Sequence, residues 1–428
     1  MLGLLIALVQ LIAFTQAKSS SGSRSLVIFD QRLIYLDDYS VFLGSLKERS
    51  FELDYAPVTN DSTPVELFDG EARRYDNLIV FPIKSRHFNK QLSAEKLLNF
   101  YNEGGEIMAI TTPDGVADNV RVFLNQLGIF PSPKNYQLRD YFQDNSELVL
   151  HLPASKVLNE HVVPKNDGEI VYQGSAALLG DSDLIIPVLQ APRTSYSEDG
   201  QKQGGKWTIG SQGYLAASFQ TLKNTRLSWV GSVDLFSDKN SDSNKHFVQE
   251  LTKWTFKEKS VVEVVCSNHA HSNGLDYSDV PYKIKDEVVY NISLREWEGE
   301  KWVPFVADDI QFELRMVDPY YRITLTPIGD SSFTFQTYTT SKFNLPDHHG
   351  IFTFVVDYKR SGLSFFTDKD VKAIRHLAND EYPRSWVITN SWVYLTAIYS
   401  VIFTWVIFVA LFVGVKKSAN VPIEKKTN

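Results

Sequence analysis

Cysteine is almost missing from this chain: its 428 residues contain one, Cys266. That excludes an internal disulfide and any all-cysteine metal cluster, so the domains must hold together by burial alone. Clustered positive charge is missing too. Of 43 basic and 51 acidic residues, four lysines and one glutamate lie beyond residue 415, leaving the body at a net charge of about −11. Such a surface excludes the electrostatic footprint of nucleic-acid binding and a broad grip on a diphosphate. The common catalytic and nucleotide-binding motifs are also absent: no G-x-G-x-x-G, Walker loop, H-E-x-x-H or G-x-S-x-G. There is no internal repeat and no low-complexity block. Aromatics, at 13%, are plentiful and suit a β-rich, sugar-facing or interface-rich protein.

Both ends carry long apolar runs. Residues 2–14, "LGLLIALVQLIAF", followed by small residues up to Ala17, read as a cleaved secretory signal, although no Lys or Arg precedes the run. Trp392 to Val415 is uncharged and would form a helix of roughly 36 Å at ~1.5 Å per residue, enough to cross a bilayer with tilt. Trp392 and Tyr394 mark an interfacial belt, and Lys416 and Lys417 end the span. The lysine-rich tail predicts a cytosolic end and a lumenal body, a type I topology. Lys425 and Lys426, at the fourth and third positions from the end, then resemble a dilysine signal for retrieval to the endoplasmic reticulum; simple attraction to the membrane surface is the plainer alternative.

The body divides by hydrophobic period. In the first part "SLVIF" (25–29), "NLIVF" (77–81), "EIMAI" (106–110) and "DLIIPVL" (183–189) read as buried strands, separated by amphipathic helices at 39–46, 93–103 and 115–127. A helix grouping Phe247, Leu251 and Trp254 closes the domain near 258. This rhythm predicts an α/β domain with a parallel sheet and helices on both faces. The second part alternates with period two: Val288, Tyr290, Ile292 and Leu294; Ile310, Phe312, Leu314 and Met316; Tyr321, Ile323 and Leu325; Phe352, Phe354, Val356 and Tyr358. That predicts an all-β antiparallel sandwich. The expected organisation is a signal peptide at 1–17, a lumenal α/β domain at 18–258, a lumenal β-sandwich at 259–388, a transmembrane helix at 389–415 and a cytosolic tail at 416–428.

Candidate chemistry is sparse. Asp238, Asn240 and Asp242 have calcium-loop spacing, but Ser243 and Gln249 stand where Gly and Glu are required, so a solvated loop leading to a capped helix is expected. His269 and His271 share one side of an extended segment, and "DHHG" adds Asp347, His348 and His349; surface loops are the expected reading for both. Asp308 and Asp309 read as a turn. Cys266 follows the α/β domain rather than a strand within it, which favours an idle or buried thiol over a nucleophile. Asn60-Asp-Ser62 and Asn291-Ile-Ser293 are sequons, so Asn60 and Asn291 are candidate glycan acceptors. No catalytic residue, metal ligand or cofactor-binding residue is assigned.

Long stretches carry a family likeness: "LANDEYPRSW" (377–386), "ADDIQFELRMVDPYYRITL" (307–325), "LGIFPSPKNYQLRDYF" (127–142), "APRTSYSE" (191–198) and the terminal "KKTN". Over essentially its whole length the chain resembles the non-catalytic 48-kilodalton-type subunits of the eukaryotic oligosaccharyltransferase complex, the wheat-germ-agglutinin-binding subunits of fungi. The resemblance implies protein N-glycosylation, the transfer of a preassembled glycan from dolichyl diphosphate to Asn in Asn-x-Ser/Thr. It implies a glutamine-amidotransferase-like α/β domain without that chemistry, since Cys266 is misplaced for a nucleophile elbow. It also implies partners: a catalytic many-span subunit, a ribophorin II-like subunit and small membrane subunits. No cofactor is implied. A lumenal glycan-binding or cargo receptor is the alternative from another class, and a membrane-anchored α/β hydrolase a third.

Overall fold

The computed structural model describes residues 19–58, 64–84, 88, 92–114, 116–142, 148–200, 205–329, 334–382 and 390–415. They fall into two compact units, one ending at Arg375 and one beginning at His376.

The first unit begins with an α/β lobe. Besides the short pairs Phe68–Asp69 with Ala72–Arg73 and Leu150–Pro153 with Glu169–Tyr172, its strands are β1 (Arg24–Phe29), β2 (Glu52–Pro57), β3 (Asn77–Val80), β4 (Glu106–Ile110), β5 (Ile129–Pro131), β6 (Tyr136–Arg139), β7 (Ala177–Leu179), β8 (Ile185–Gln190), β9 (Tyr196–Asp199), β10 (Tyr214–Gln220) and β11 (Arg226–Val230). Its helices are α1 (Ser40–Glu48), α2 (Ala94–Asn102), α3 (Asp118–Gln126) and α4 (Ser241–Thr255). Five strands lie parallel in the order β2-β1-β3-β4-β11, and β10, β7 and β5 continue the sheet antiparallel, with β8 also paired to β10. The parallel part has the 2-1-3-4-5 order of a doubly wound fold. The expected strand at 183–189 is present but runs antiparallel. Its apolar residues record burial on both faces, which carries no information about direction.

Strand alternation delivers two cores. Val27, Phe29 and Ile79 face Phe42, Leu43 and Leu46 of α1 and Phe247, Leu251 and Trp254 of α4. Leu26, Ile28, Leu78 and Val80 face Leu97, Phe100 and Tyr101 of α2 and Val120, Phe123 and Leu124 of α3. Each such buried side chain contributes about 1.5–3 kcal/mol. The ends of α2 are set locally. The Ser93 hydroxyl accepts the Lys96 N–H at 3.1 Å as an N-cap. At Gly105 a Cβ would lie 2.2 Å from the Phe100 ring, so only glycine lets the chain turn back into β4.

The sandwich comprises β12 (Val261–His271), β13 (Glu287–Trp297), β14 (Gln311–Arg315), β15 (Pro319–Thr324), β16 (Gln336–Thr339), β17 (Gly350–Tyr358) and β18 (Phe366–Ile374), with shorter strands beside β13 and β16. One sheet carries β12-β13-β16 and the other β15-β14-β17-β18, with every pair antiparallel. Val288, Tyr290, Ile292 and Leu294 meet Phe312, Leu314, Phe352, Phe354 and Val356 in one core. Of the alternating positions expected inside, Met316 and Tyr321 are instead exposed. The second unit contains the helix α5 (Ser391–Gly414).

Candidate functional site

The most heavily built polar assembly in the first unit is the joint between the two lobes. It centres on Arg226, the first residue of β11 and fully buried. Its guanidinium donates to the carbonyls of Trp254 (2.9 Å), Lys259 (2.8 Å) and Ser260 (2.6 Å) and to Ser364 Oγ (3.1 Å). It also lies over the Trp254 ring, 4.7 Å from its centroid. The Arg226 N–H donates to Glu106 Oε2 at 2.5 Å, and Lys257 Nζ sits 2.5 Å from Glu106 Oε1. Burial lowers the Arg226 pKa to about 10, against the upward pull of Glu106. Burial likewise pushes the Glu106 carboxyl up, while Lys257 and Arg226 oppose it. With two donors in place the paired, ionised state is the one this geometry holds. Beside it, Arg49 and Glu258 form a second buried pair at 2.5 Å.

Onto this base the sandwich lowers the loop between β17 and β18. Trp254 Nε1 donates to Gly362 O (2.7 Å), Gln220 Nε2 to Leu363 O (2.8 Å), and the Asn224 side chain bonds both O and N of Phe365 (2.7 Å each). Gly362 has φ +92°, and a Cβ there would approach Asn159 Oδ1 to 2.6 Å. The joint is therefore a loop whose main-chain polar groups are satisfied by side chains of the other lobe, as buried polar groups require.

A second assembly closes the sandwich. His269 Nδ1 lies 2.7 Å from the Tyr282 hydroxyl and Nε2 2.8 Å from Asp370 Oδ2, with the ring stacked on Phe354 at 4.5 Å. This ties β12 of one sheet to β18 of the other. Burial works against the Asp370 carboxylate, but hydrogen bonds from His269 and Lys372 outweigh it and hold its pKa below the usual range. The expectation of a surface loop at His269 and His271 is thus corrected: both lie on a strand, and His271 Nε2 is 2.9 Å from Val280 O. Polar neighbours such as Ser267 and Asn268 hid the strand period.

The other nominated residues are dispersed. Cys266 is a free, exposed thiol on β12, beside a register irregularity. Asp238 accepts from Ser40 N (3.0 Å), Ser40 Oγ (2.7 Å) and Val41 N (3.0 Å), placing its charge at the N-terminus of α1. Asp309 accepts from Tyr358 (3.0 Å) and Arg360 (2.5 Å). Asn291 is half-buried in β13, opposite Asn268 on one side and Thr339 on the other. Ser293 of its sequon is bonded to Thr337 at 2.9 Å. Asn60, Lys425 and Lys426 lie outside the described residues.

In the second unit α5 has 24 residues, a peak mean hydropathy of 2.3 and no charge. Thr396, Ser400 and Thr404 donate to carbonyls of their own helix at 2.8–2.9 Å, so these hydroxyls enter hydrocarbon satisfied.

Two family models match the chain: "OST48, N-terminal domain" over residues 16–258 and "OST48 middle domain" over 269–416. The chain is 50% identical over 411 residues to the Saccharomyces cerevisiae dolichyl-diphosphooligosaccharide–protein glycosyltransferase subunit WBP1, covering 95% of each. It is 27% identical to the 48 kDa subunit of the same transferase from Drosophila melanogaster, covering 96% of each. Among solved structures, a ThuA-like protein from Parabacteroides merdae aligns with 54% of this chain and 89% of its own at 11% identity and a TM-score of 0.31, an overlap too slight to add to the topology.

Proposed function

Since the chain belongs to the OST48 family and is a subunit of the oligosaccharyltransferase complex of protein N-glycosylation, we propose that it serves that complex as a non-catalytic scaffold. The observation that carries this reading is the joint. The buried Arg226, held beside Glu106, is engaged in fixing one lobe on the other, and the buried pair Arg49 and Glu258 in tying the end of the α/β lobe to the end of α1. His269, with Asp370 as its acid partner, is engaged in closing the sandwich. A rigid two-lobed body with one bilayer crossing positions partners rather than reacting with substrate.

In this reading the α/β domain is 18–258, the sandwich 259–388 and the span 389–415. The body lies in the lumen of the endoplasmic reticulum, the tail lies in the cytosol, and Lys425 and Lys426 mediate retrieval. The span and body dock against a catalytic many-span subunit, a ribophorin II-like subunit and small membrane subunits. Asn60 and Asn291 are glycan acceptors. Asn291 must be modified before β13 pairs, because its strand is flanked on both sides once folded.

The test is complementation of cells depleted of the chain. Cys266→Ala and His348→Ala should restore sequon occupancy fully. An Arg226→Ala chain should recover less of the complex on affinity purification and lower occupancy in proportion. A variant that assembles normally yet abolishes transfer through one side chain of this subunit would refute the scaffold reading.

A further inference from the structure

One end of the sandwich, at the loop between β17 and β18, forms the joint. The other end, the nine residues of β17 away and so about 30 Å at ~3.4 Å per residue, carries an apolar tip. The strand register fixes its place. Arg315 pairs with Thr353 and Gly350 with Ile374, so the turn between β14 and β15, Met316 to Asp318, lies beside the start of β17 and the end of β18. Val317 in that turn is 90% exposed, more than any other large apolar side chain among the described residues. Met316 lies across Gly350, where a Cβ would come within 2.7 Å of its Cε. Ile351, the next residue of β17, is 65% exposed. Tyr320 is exposed as well, and its ring is braced from behind by the core residue Phe352 at 5.6 Å.

Single exposed apolar side chains are ordinary, but a group of them gathered at one place marks a contact surface. What this group meets follows from the course of the chain. β18 ends at Ile374, at the same end of the sheet, and the chain then runs to α5, which begins at Ser391. At no more than about 3.6 Å per residue, that connection is at most roughly 60 Å long. The anchor is therefore attached to the end that bears the tip, not to the joint. The chemistry of the tip suits a bilayer boundary. Aliphatic side chains stand foremost, with tyrosine behind them, the aromatic type that settles at headgroup depth. Within the turn the Met316 N–H donates to the Asp318 carbonyl at 3.3 Å. The exposed Asp318 carboxylate would resist entering hydrocarbon, which limits the tip to the headgroup boundary. Arg315, at the base of the turn, is paired with Glu313, so apolar burial rather than attraction to anionic lipid would hold the contact.

We propose that the tip of the β14–β15 hairpin, Met316, Val317 and Tyr320 together with Ile351, is a membrane-contact site that enters the headgroup boundary of a zwitterionic bilayer. A body held by one span alone can swivel about its connection; a second contact at the tip fixes its tilt. This also gives a reason for the exposed methionine that ends the alternating run of β14. The proposal rests on α5 crossing a bilayer and does not depend on the scaffold reading, since the tip shares no residue with the joint.

The experiment uses the assembled complex in phosphatidylcholine nanodiscs containing a small fraction of phosphatidylcholine with a diazirine on the acyl chain close to the glycerol ester. After illumination and digestion, mass spectrometry locates the lipid adducts. They should appear on the peptide spanning Met316 to Tyr321 and on α5, and be absent from the joint loop at Gly362 to Phe365. Met316→Ser combined with Val317→Asp should lower the tip adducts at least fivefold, with α5 adducts, subunit recovery and thermal midpoint unchanged. If the double variant lowers the midpoint, Val317→Asp alone decides, since that side chain is 90% exposed. Adducts on α5 with none on the native tip would overturn the proposal and leave the span intact; absence from both would overturn both. Equal tip adducts in native and variant complexes would also overturn it. So would a variant that keeps the native midpoint yet loses another subunit, because protein rather than lipid would then cover the tip.

Discussion

In β3 all four residues, Asn77 to Val80, are buried; in β18 only Phe366 and Ile374 of nine are. The first strand lies between layers of helix and reads as a continuous apolar run. The second places Asp368, Asp370 and Lys372 toward the seam of the sandwich and leaves Thr367, Lys369, Val371 and Ala373 on the outside. Charges pointing inward on an edge strand discourage other strands from pairing there, a device native sheets use against edge-to-edge aggregation. The α/β lobe is therefore held by apolar burial on both faces and can meet other molecules mainly through its strand-end loops. The sandwich keeps open outer faces and a seam set by specific polar bonds. Between them the joint combines both strategies: a fully buried arginine under a largely buried loop whose main-chain polar groups are met by side chains.

The sharpest way to break this comparison is Arg226→Ala. It removes the guanidinium donor from the Lys259 carbonyl and the Ser364 hydroxyl, leaves the Trp254 and Ser260 carbonyls with only the Lys257 and Ser364 groups, and removes a cation from beside Glu106. A loss of about 3–5 kcal/mol is expected for removing one partner of a buried charge network. Calorimetry of the purified full chain should resolve two transitions where the native chain gives one, because the lobes no longer unfold together. A variant that keeps a single transition within about 1 kcal/mol of native would show that apolar contact alone couples the lobes.

Phe354→Ala should follow at about 3 kcal/mol, by opening a cavity beneath the His269 ring in the sandwich core. Combined with Arg226→Ala, where the lobes unfold separately, its effect should be confined to the sandwich transition. His269→Ala should cost about 1–3 kcal/mol, since it removes the partner of the Tyr282 hydroxyl and leaves the Asp370 carboxylate with Lys372 alone. Its urea midpoint should fall more than that of His348→Ala on the loop. Equal midpoints would mean that the seam is held by packing alone.

How far these features could be read in advance follows from the physics of each. The buried strands at 25–29, 77–81 and 106–110 and the period-two runs of β13, β14 and β17 are legible because every residue repeats one environment. The membrane span is legible for the same reason. The joint is not: Asn224 and Phe365 are 141 residues apart, and their bond is side chain to main chain, which leaves no pattern in composition. The one local hint is an arginine opening an otherwise apolar strand, "RLSWV". Asp238 illustrates the converse. Its segment read as a solvated loop before a capped helix, but the carboxylate caps a different helix, almost two hundred residues earlier. Asn291 was legible as a sequon, yet its place within a central strand depends on pairing with Asn268 and Thr339, which no short motif encodes.

The smallest effect expected is electrostatic and separates the joint from the seam by sign. Glu106 has a raised folded pKa, so the folded state holds its proton more readily than the unfolded chain; its contribution improves as pH falls toward the unfolded value. Asp309, Asp357 and Asp370 have lowered folded pKa values, so their contribution is complete above the unfolded aspartate value of about 3.9 and disappears as pH falls through their folded values. Glu250, paired with Lys253 and Lys259, behaves as these aspartates do. Because Asp370 is 44% exposed, its share is small and screened by salt. Thermal midpoints of the native chain and Asp370→Asn, measured from pH 6 downward, should therefore differ slightly at the upper end and draw together as pH falls below the unfolded aspartate value of about 3.9. A gap that stays constant across that range would mean that Asp370 acts through shape rather than charge, and the seam would then differ from the joint only in depth of burial.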